Sequence, residues 1–502
     1  MSQQIKIGWG KRDTTPSGRV MLAGQMGNRL SEGVLDPLST TALALDNGSS
    51  RAILISIDLV GLPGGLFAAV RKEITRCTGL AGEEIMGSVT HTHTAPQCGE
   101  IVPMEKCMAL YSPSPEKRFN CLGNRGVDVD KMHAEYPDFV DSEQYFDFLV
   151  KQMSDAGVEA WENRAPGKIA YGQGTAVVGE CRRLTMADRG GLMYAREDDP
   201  AMLHAEGHVD HSVNVLSTYD TAGQLTGILV NIACPSQVSE AWRVVTADYW
   251  NEVRQETASR FGKDVYILPQ CSPAGDISPH KILGRRADER MLLLRQQQKD
   301  ALPDWNWQTR VYDRDYGLAR RKEIARRIVL ALEDVLPVIA PTAEAAPVLK
   351  KEFKKLFLAP RLVTEKEAEE ATASLKSSLK IFAEQNVVYN GSVPAQLRVI
   401  ENFKNPPEPV EIELHTLRIG EAVFATNPFE YYLDYSDRIK GGSKAVQTFL
   451  IQLAANNGKA GYLPSLRSGT AGYGSWPSSC SVSCSGGDIL AAETIRAINA
   501  LF

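Results

Sequence analysis

The chain has 502 residues, 43% of them hydrophobic and 23% charged, which is globular composition with ample length for a large core. A formal net charge of −6 without a basic stripe excludes a nucleic-acid track, and no apolar run reaches the roughly 18 residues of a membrane span. Nine cysteines without disulfide-framework spacing, and an opening MSQQIKIGWGKRD without an apolar signal region, point to a cytoplasmic protein.

In chain order, residues 5–8 read as a strand and Asp13-Thr14-Thr15-Pro16 as a turn. Residues 24–36 read as a loop, and residues 38–45 and 52–59 as strands joined at Asp46-Asn47-Gly48. Asp58 lies inside the second apolar run, either as a substrate contact or as a cap of the following loop. An amphipathic helix over 66–78 and a strand over 84–89 lead into the stretch S-V-T-H-T-H-T-A-P. If that stretch is extended, His91 and His93 point to one side, as a metal pair or a proton-transfer pair. Residues 97–136 are irregular and carry Cys98, Cys107, Cys121 and His133.

A helix over 145–164 and a strand over 168–178 precede Cys181-Arg182-Arg183, where Arg182 could serve a substrate oxyanion and Arg183 a structural ion pair. His208 and His211 read as the solvated start of a strand over 212–219. After a turn at Thr221-Ala222-Gly223, the apolar run 227–233 ends in Cys234-Pro235-Ser236-Gln237, placing Cys234 and Gln237 as substrate contacts at a strand edge. A helix over 248–261 and a strand over 263–269 lead to a second polar transition holding Asp276, Ser278 and His280, the last a substrate contact. The basic stretch 320–327 reads as the solvated face of a helix over 318–336, and residues 337–347 as a sub-domain joint. A helix over 365–384 and strands over 411–418 and 422–426 follow, then Asn427-Pro428-Phe429-Glu430 and a helix through Ile439. A strand over 448–453, a loop holding Tyr462, a glycine- and serine-rich loop with Cys480 and Cys484, and a helix over 488–501 close the chain, with no internal repeat. We read the two cysteines as buried small residues rather than a metal or redox pair. The pattern is α/β: mixed multi-stranded sheets flanked by helices, one domain over 1–502, with the site at the C-terminal ends of strands.

Several short motifs in order carry a resemblance. Asp13-Thr14-Thr15-Pro16, T-H-T-H-T-A-P at residues 90–96, Gly275-Asp276-Ile277-Ser278-Pro279, Pro428-Phe429-Glu430 and Gly461-Tyr462 are similar to D-I-T-P, H-T-H-S-x-P, G-D-V-S-P, P-G-E and a late Gly-Tyr. Together they resemble the N-terminal catalytic domain of the neutral/alkaline, non-lysosomal ceramidase family. The resemblance implies a zinc-dependent amide hydrolase. It makes His91, Glu430 and Tyr462 the metal ligands, with Tyr462 also catalytic, and His93 a proton relay. Arg182 would orient substrate, and Asp276 and Ser278 would supply catalytic groups.

Two departures qualify this. Pro235 stands where the family has its second histidine ligand, and Gly33-Val34-Leu35-Asp36 where relatives often read G-I-H or G-V-H. Either Cys234 substitutes as a thiolate, or His208, His211 or His280 moves in, or zinc is not held in the family's way. The expected partner is a small soluble substrate, with a homo-oligomer possible. A carbohydrate-active hydrolase or lyase using Asp58, Asp276 or Glu430 as acid and base is the alternative, and a non-catalytic binding protein a third reading.

Overall fold

The computed structural model describes residues 4–25, 28–98, 101–103, 120–122, 125–127, 129–196, 198–301, 311–385, 392–455, 461–468 and 472–502. Cys107, the side chain of Cys121 and residues 456–460 lie outside them.

Three units of one plan follow each other. The first has strands β1 (Lys6–Asp13), β2 (Ser39–Asp46) and β3 (Arg51–Ile57), helix α1 (Gly64–Thr78), strand β4 (Ile85–Val89) and helix α2 (Ser142–Glu162). The second has β5 (Lys168–Thr175), β6 (Ser212–Tyr219), β7 (Leu225–Ile232), α3 (Tyr249–Phe261), β8 (Tyr266–Cys271) and α4 (Arg314–Ile339). The third has β9 (Leu349–Leu358), β10 (Val410–Ile419), β11 (Ala422–Thr426), α5 (Leu433–Gly442), β12 (Gln447–Ile451) and α6 (Cys484–Ala500). In each, the first three strands pair antiparallel and the fourth joins the third in parallel through the crossover helix. The sequence carries no internal repeat, but the topology does.

Strand alternation explains how the sheets stack. In β2, Ala42 and Ala44 face α1 and α2, which cover them with Leu66, Val70, Leu149 and Met153. Leu43 and Leu45 face the other way, into a centre shared with Leu216 and Leu229 of the second sheet and Leu417, Phe424 and Phe449 of the third. The second and third sheets likewise turn their outer faces to α3 and α4 and to α5 and α6. Both faces of the inner strands β2, β3, β4, β6, β7, β8, β11 and β12 are therefore buried, while the outer strand β9 keeps exposed residues such as Phe357. Hydrogen bonds at the inner strands close the ring: Ser56 Oγ to Pro269 O, Asn231 Nδ2 to Leu450 O, Gln452 N to Cys271 O, and Ala455 N to Gly87 O.

Two readings change. Arg320 and Arg321 are buried, at 1% and 0% exposure, not solvated. Arg321 donates to Asp36 (2.7 Å), to Glu252 (2.9 Å) and to Thr246 Oγ1 (3.0 Å), because a buried guanidinium needs counter-charges and acceptors at every N–H. Residues 24–36 are not simply loop: Met21–Leu22 pairs with Arg29–Leu30. Residues 337–347, read as a joint, lie between the second unit and the third, which begins at Leu349. Helix α4 runs through Pro337 to Ile339, and Glu344 exchanges backbone hydrogen bonds with Ile169. Among the described residues, no helix is long and apolar enough to cross a membrane.

Gly8 and Gly10 let α2 lie directly on β1. A Cβ on Gly10 would stand 2.1 Å from the carbonyl oxygen of Ala156, and one on Gly8 2.0 Å from that of Ala160. The obstacle is backbone, so the helix itself would have to move. Gly10→Val should cost at least about 1–3 kcal/mol, the ordinary range for overpacking. A lowered midpoint in thermal unfolding checks this.

Candidate active site

The C-terminal ends of β3, β4, β7, β8, β11 and β12 converge, and the polar residues beyond them form one cluster. After β4 the chain does not stay extended. His91 takes a left-handed backbone (φ +63°), and this bend, rather than strand alternation, brings its ring against His93. The rings meet edge to face with centroids 4.8 Å apart and their Nε2 atoms 3.3 Å apart. His91 Nδ1 meets the carbonyl of Val60, which turns Nε2 into the cluster. Thr92 and Thr94 hydroxyls both donate to Thr246 O (2.9 and 3.0 Å). Gly24, itself at φ +92°, lies against the His93 ring, where a Cβ would come within 2.5 Å.

Glu430 and Tyr462 arrive side by side because Glu430–Tyr431 and Tyr462–Leu463 form a short parallel pair with these two residues in register. Glu430 Oε2 stands 3.5 Å from His91 Nε2. Arg182 follows directly on Glu180–Cys181, which pairs with Ile277–Ser278, and its guanidinium is buried. It donates to Tyr462 OH (3.0 Å), Tyr194 OH (3.0 Å) and Gly275 O (2.7 Å), and lies 3.8 Å from Glu430. Gly275 must be glycine here, since a Cβ would stand 2.3 Å from the Glu430 carbonyl oxygen.

Burial pushes the Glu430 carboxyl up, but His91, Arg182 and the Tyr462 hydroxyl outweigh it and hold the group below the ordinary carboxylate value. Burial drives the phenols of Tyr462 and Tyr194 above their usual value despite the arginine between them. The cluster thus pairs an ionised carboxylate with neutral O–H donors.

Of the residues expected from the sequence, His91, His93, Arg182, Gln237, Glu430 and Tyr462 come together. Gln237 Nε2 sits 2.6 Å from His93 Nε2. His280 Nε2 donates to Gln237 O (2.9 Å) at the cluster's edge. Asp58 is placed beneath, accepting from Ser39 N (2.8 Å), Thr90 Oγ1 (3.1 Å) and both Nη atoms of Arg254 (2.9 and 3.0 Å), so it anchors the residue before His91. Asp276 turns away, accepting from Leu433 N (3.0 Å), and Ser278 Oγ accepts from His280 N (3.1 Å). Glu240 and Tyr194 had no motif to announce them. Glu240 sits three residues past Gln237, and Tyr194 follows a small hairpin with its own left-handed backbone (φ +57°).

The ceramidase family's zinc set is one donor short here. Pro235 offers no ligand, and Cys234 Sγ points to Val178 O (3.5 Å) with burial raising its thiol far above the usual value. His208 pairs with Asp437 at the surface, and His280 faces Gln237 and Glu240. Tyr462 OH is already engaged by Arg182 and Glu430, and His93 Nε2 by Gln237. Among the described residues no three His, Cys, Asp or Glu side chains group as metal donors, and His91, Glu430 and Tyr462 are what remains of the family's set.

Burial raises the Asp276 carboxyl to about 6 from an ordinary 3.8. Its contribution to stability is therefore complete below pH 3.8 and lost as pH rises through about 6. Asp276→Asn keeps an acceptor for Leu433 and removes that loss. Relative to wild type, the variant should gain up to about 3 kcal/mol between pH of about 4 and 7, since each tenfold change in proton affinity is worth roughly 1.4 kcal/mol. Denaturant midpoints across that range test it, and a constant difference would contradict it.

No protein-family profile matches the chain, and no curated protein matches it. Solved structures do. The neutral ceramidase from Pseudomonas aeruginosa superposes with a TM-score of 0.66 at 14% identity, over 100% of this chain and 75% of that one. A ceramidase complexed with C2 gives a TM-score of 0.66 at 14% identity over 99% of this chain and 75% of its own. The motifs that suggested the resemblance thus sit on a shared architecture, and the chain has the fold of neutral ceramidase.

Proposed function

We propose that the protein is a hydrolase that cleaves a C–N bond, an amide, in a small polar substrate in the cytoplasm. The observation that supports this best is Glu430: a buried carboxylate kept ionised by His91, Arg182 and Tyr462 while facing His91 Nε2 at 3.5 Å. A water beside this pair loses a proton to Glu430 as its oxygen attacks the substrate carbonyl carbon. The oxygen that becomes negative is met by the guanidinium of Arg182 and the O–H of Tyr194, donors held in a buried site before substrate arrives. The C–N bond then breaks as Glu430 gives the proton it took to the leaving amine, and carboxylate and amine depart.

The chain's own acid–base groups carry every step of this scheme. Chelator dialysis should therefore leave turnover unchanged, and a loss that zinc restores would refute the scheme. Glu430→Gln should lower turnover by about 10²–10⁴-fold, the range for a general base. A panel of acylated amines and amino acids supplies the assay.

One observation favours a second reading, action on a carbohydrate. Rings step outward from the site, Tyr462 to Tyr473 at 5.4 Å and Tyr473 to Trp476 at 5.8 Å, and Trp476 is 53% exposed. An exposed indole face suits an apolar ring face of a sugar. Aryl glycosides and oligosaccharides run beside the amides decide between the two. Turnover confined to the sugars would replace the amidase reading.

A further inference from the structure

Arg183 follows Arg182 directly and is buried, and its expected ion pair is made with Glu206. Arg183 Nε donates to Glu206 Oε1 (3.0 Å), Nη2 stands 2.9 Å from Oε2, and the Glu206 backbone N–H donates to Arg183 O (2.9 Å). The pair is seated between two backbones that carry no Cβ. One on Gly191 would stand 2.0 Å from Glu206 Oε2, and one on Gly472 would stand 2.8 Å from Arg183 Nη1. Two further bonds reach Glu206 from another part of the chain. Ser468 Oγ donates to Glu206 Oε1, and Arg467 Nη1 donates to Glu206 O. Both donors belong to the segment 461–468, which begins with Gly461-Tyr462. The Arg183 guanidinium also lies 5.8 Å from the ring centre of Tyr432, two residues past Glu430, and Tyr432 N donates to Leu463 O (3.3 Å). The pair thus meets the chain segments that deliver Arg182, Tyr462 and Glu430.

We propose that Glu206 is a positioning residue that fixes the Tyr462 segment against the Arg182 segment. Arg182 and Tyr462 come from different units, each packed on its own helices, yet their side chains keep a 3.0 Å contact. Holding that distance calls for a tie between the two segments close to the site. A carboxylate suits the task because its two oxygens accept several bonds at once, here from Arg183 and Ser468. The Glu206 side chain is 7% exposed and Ser468 2%, so little water competes for the bond between them. Losing the hydroxyl therefore frees the segment instead of exchanging one partner for another. A buried Arg183 needs a counter-charge wherever it sits, but nothing in that need calls for Ser468 or Arg467. Their presence on the same carboxylate and carbonyl is what turns an ion pair into a tie. The effect on turnover rests on the acid–base reading of the cluster above, while the effect on Tyr462 is read without substrate.

Full-length protein carrying 3-fluorotyrosine gives a ¹⁹F signal for Tyr462, identified by its absence in Tyr462→Phe. Signals of Tyr145 in α2 and Tyr249 in α3, identified in the same way, serve as references. In Ser468→Ala the Tyr462 signal should shift or split while the two references stay in place. A role in stability alone would lower the thermal midpoint and leave the Tyr462 signal of the folded protein unmoved, and that result would overturn the proposal. Glu206→Gln should move the Tyr462 signal at least as far, and a folded Glu206→Gln with an unmoved signal overturns it too. Should that variant not fold, Ser468→Ala decides alone. On an amide that the protein hydrolyses, Ser468→Ala should lower kcat roughly 10–10²-fold with KM little changed, the scale on which misplacing a positioned group acts. If the Tyr462 signal behaves as expected and no amide is turned over, the positioning role stands and the proposed reaction falls.

Discussion

A strand that is apolar on both faces has to be covered twice. In this chain helices supply one cover, and two other sheets of the same kind supply the other. The shared centre that results, from Leu43 and Leu45 through Leu216 and Leu229 to Phe424 and Phe449, allows three inner strands to end close together. Beyond those ends the apolar supply stops, and residues that must satisfy the exposed strand termini are polar. Burying them so near the centre strips their water, which makes every remaining charge depend on a partner.

Arg182 shows how far that goes. Its guanidinium has almost no contact with solvent, and its neighbours are two phenols, a carbonyl and Glu430. The cation keeps Glu430 ionised in a place where burial alone would favour the neutral acid. Backbone strain is concentrated here as well. His91 and Leu453 both adopt left-handed φ values, two residues beyond the inner strands of the first and third units. Such conformations cost on the order of 1–3 kcal/mol each for residues with a Cβ, and the surrounding hydrogen bonds hold them in place.

Much of this was legible in the residues. Periodicity located the main strands and helices, and polar stretches at strand ends, above all T-H-T-H-T and the run to Glu430, pointed to the edge where the polar cluster forms. What was not legible depended on partners far away in the chain. Arg320 and Arg321 read as surface because charge is usually solvated, and only Asp36, Glu252 and Asp288 make their burial tolerable. Asp58 read equally as a ligand or a cap, and Arg254, nearly two hundred residues on, settles its surroundings. Glu240 and Tyr194 belong to no motif. The threefold plan left no trace in composition because each unit solves the same packing problem with different side chains.

The architecture distributes the site among three independent owners. His91 comes from the first unit, Gln237 and Arg182 from the second, Glu430 and Tyr462 from the third, each delivered by its own strand end. A change in one owner therefore leaves the other contributions standing. Pro235 belongs to the second unit alone, and His91 and Glu430 still face each other across the gap. An active site built from separate corners can exchange one corner's chemistry and keep its shape, so that new reactions can be tried without rebuilding the scaffold that holds them.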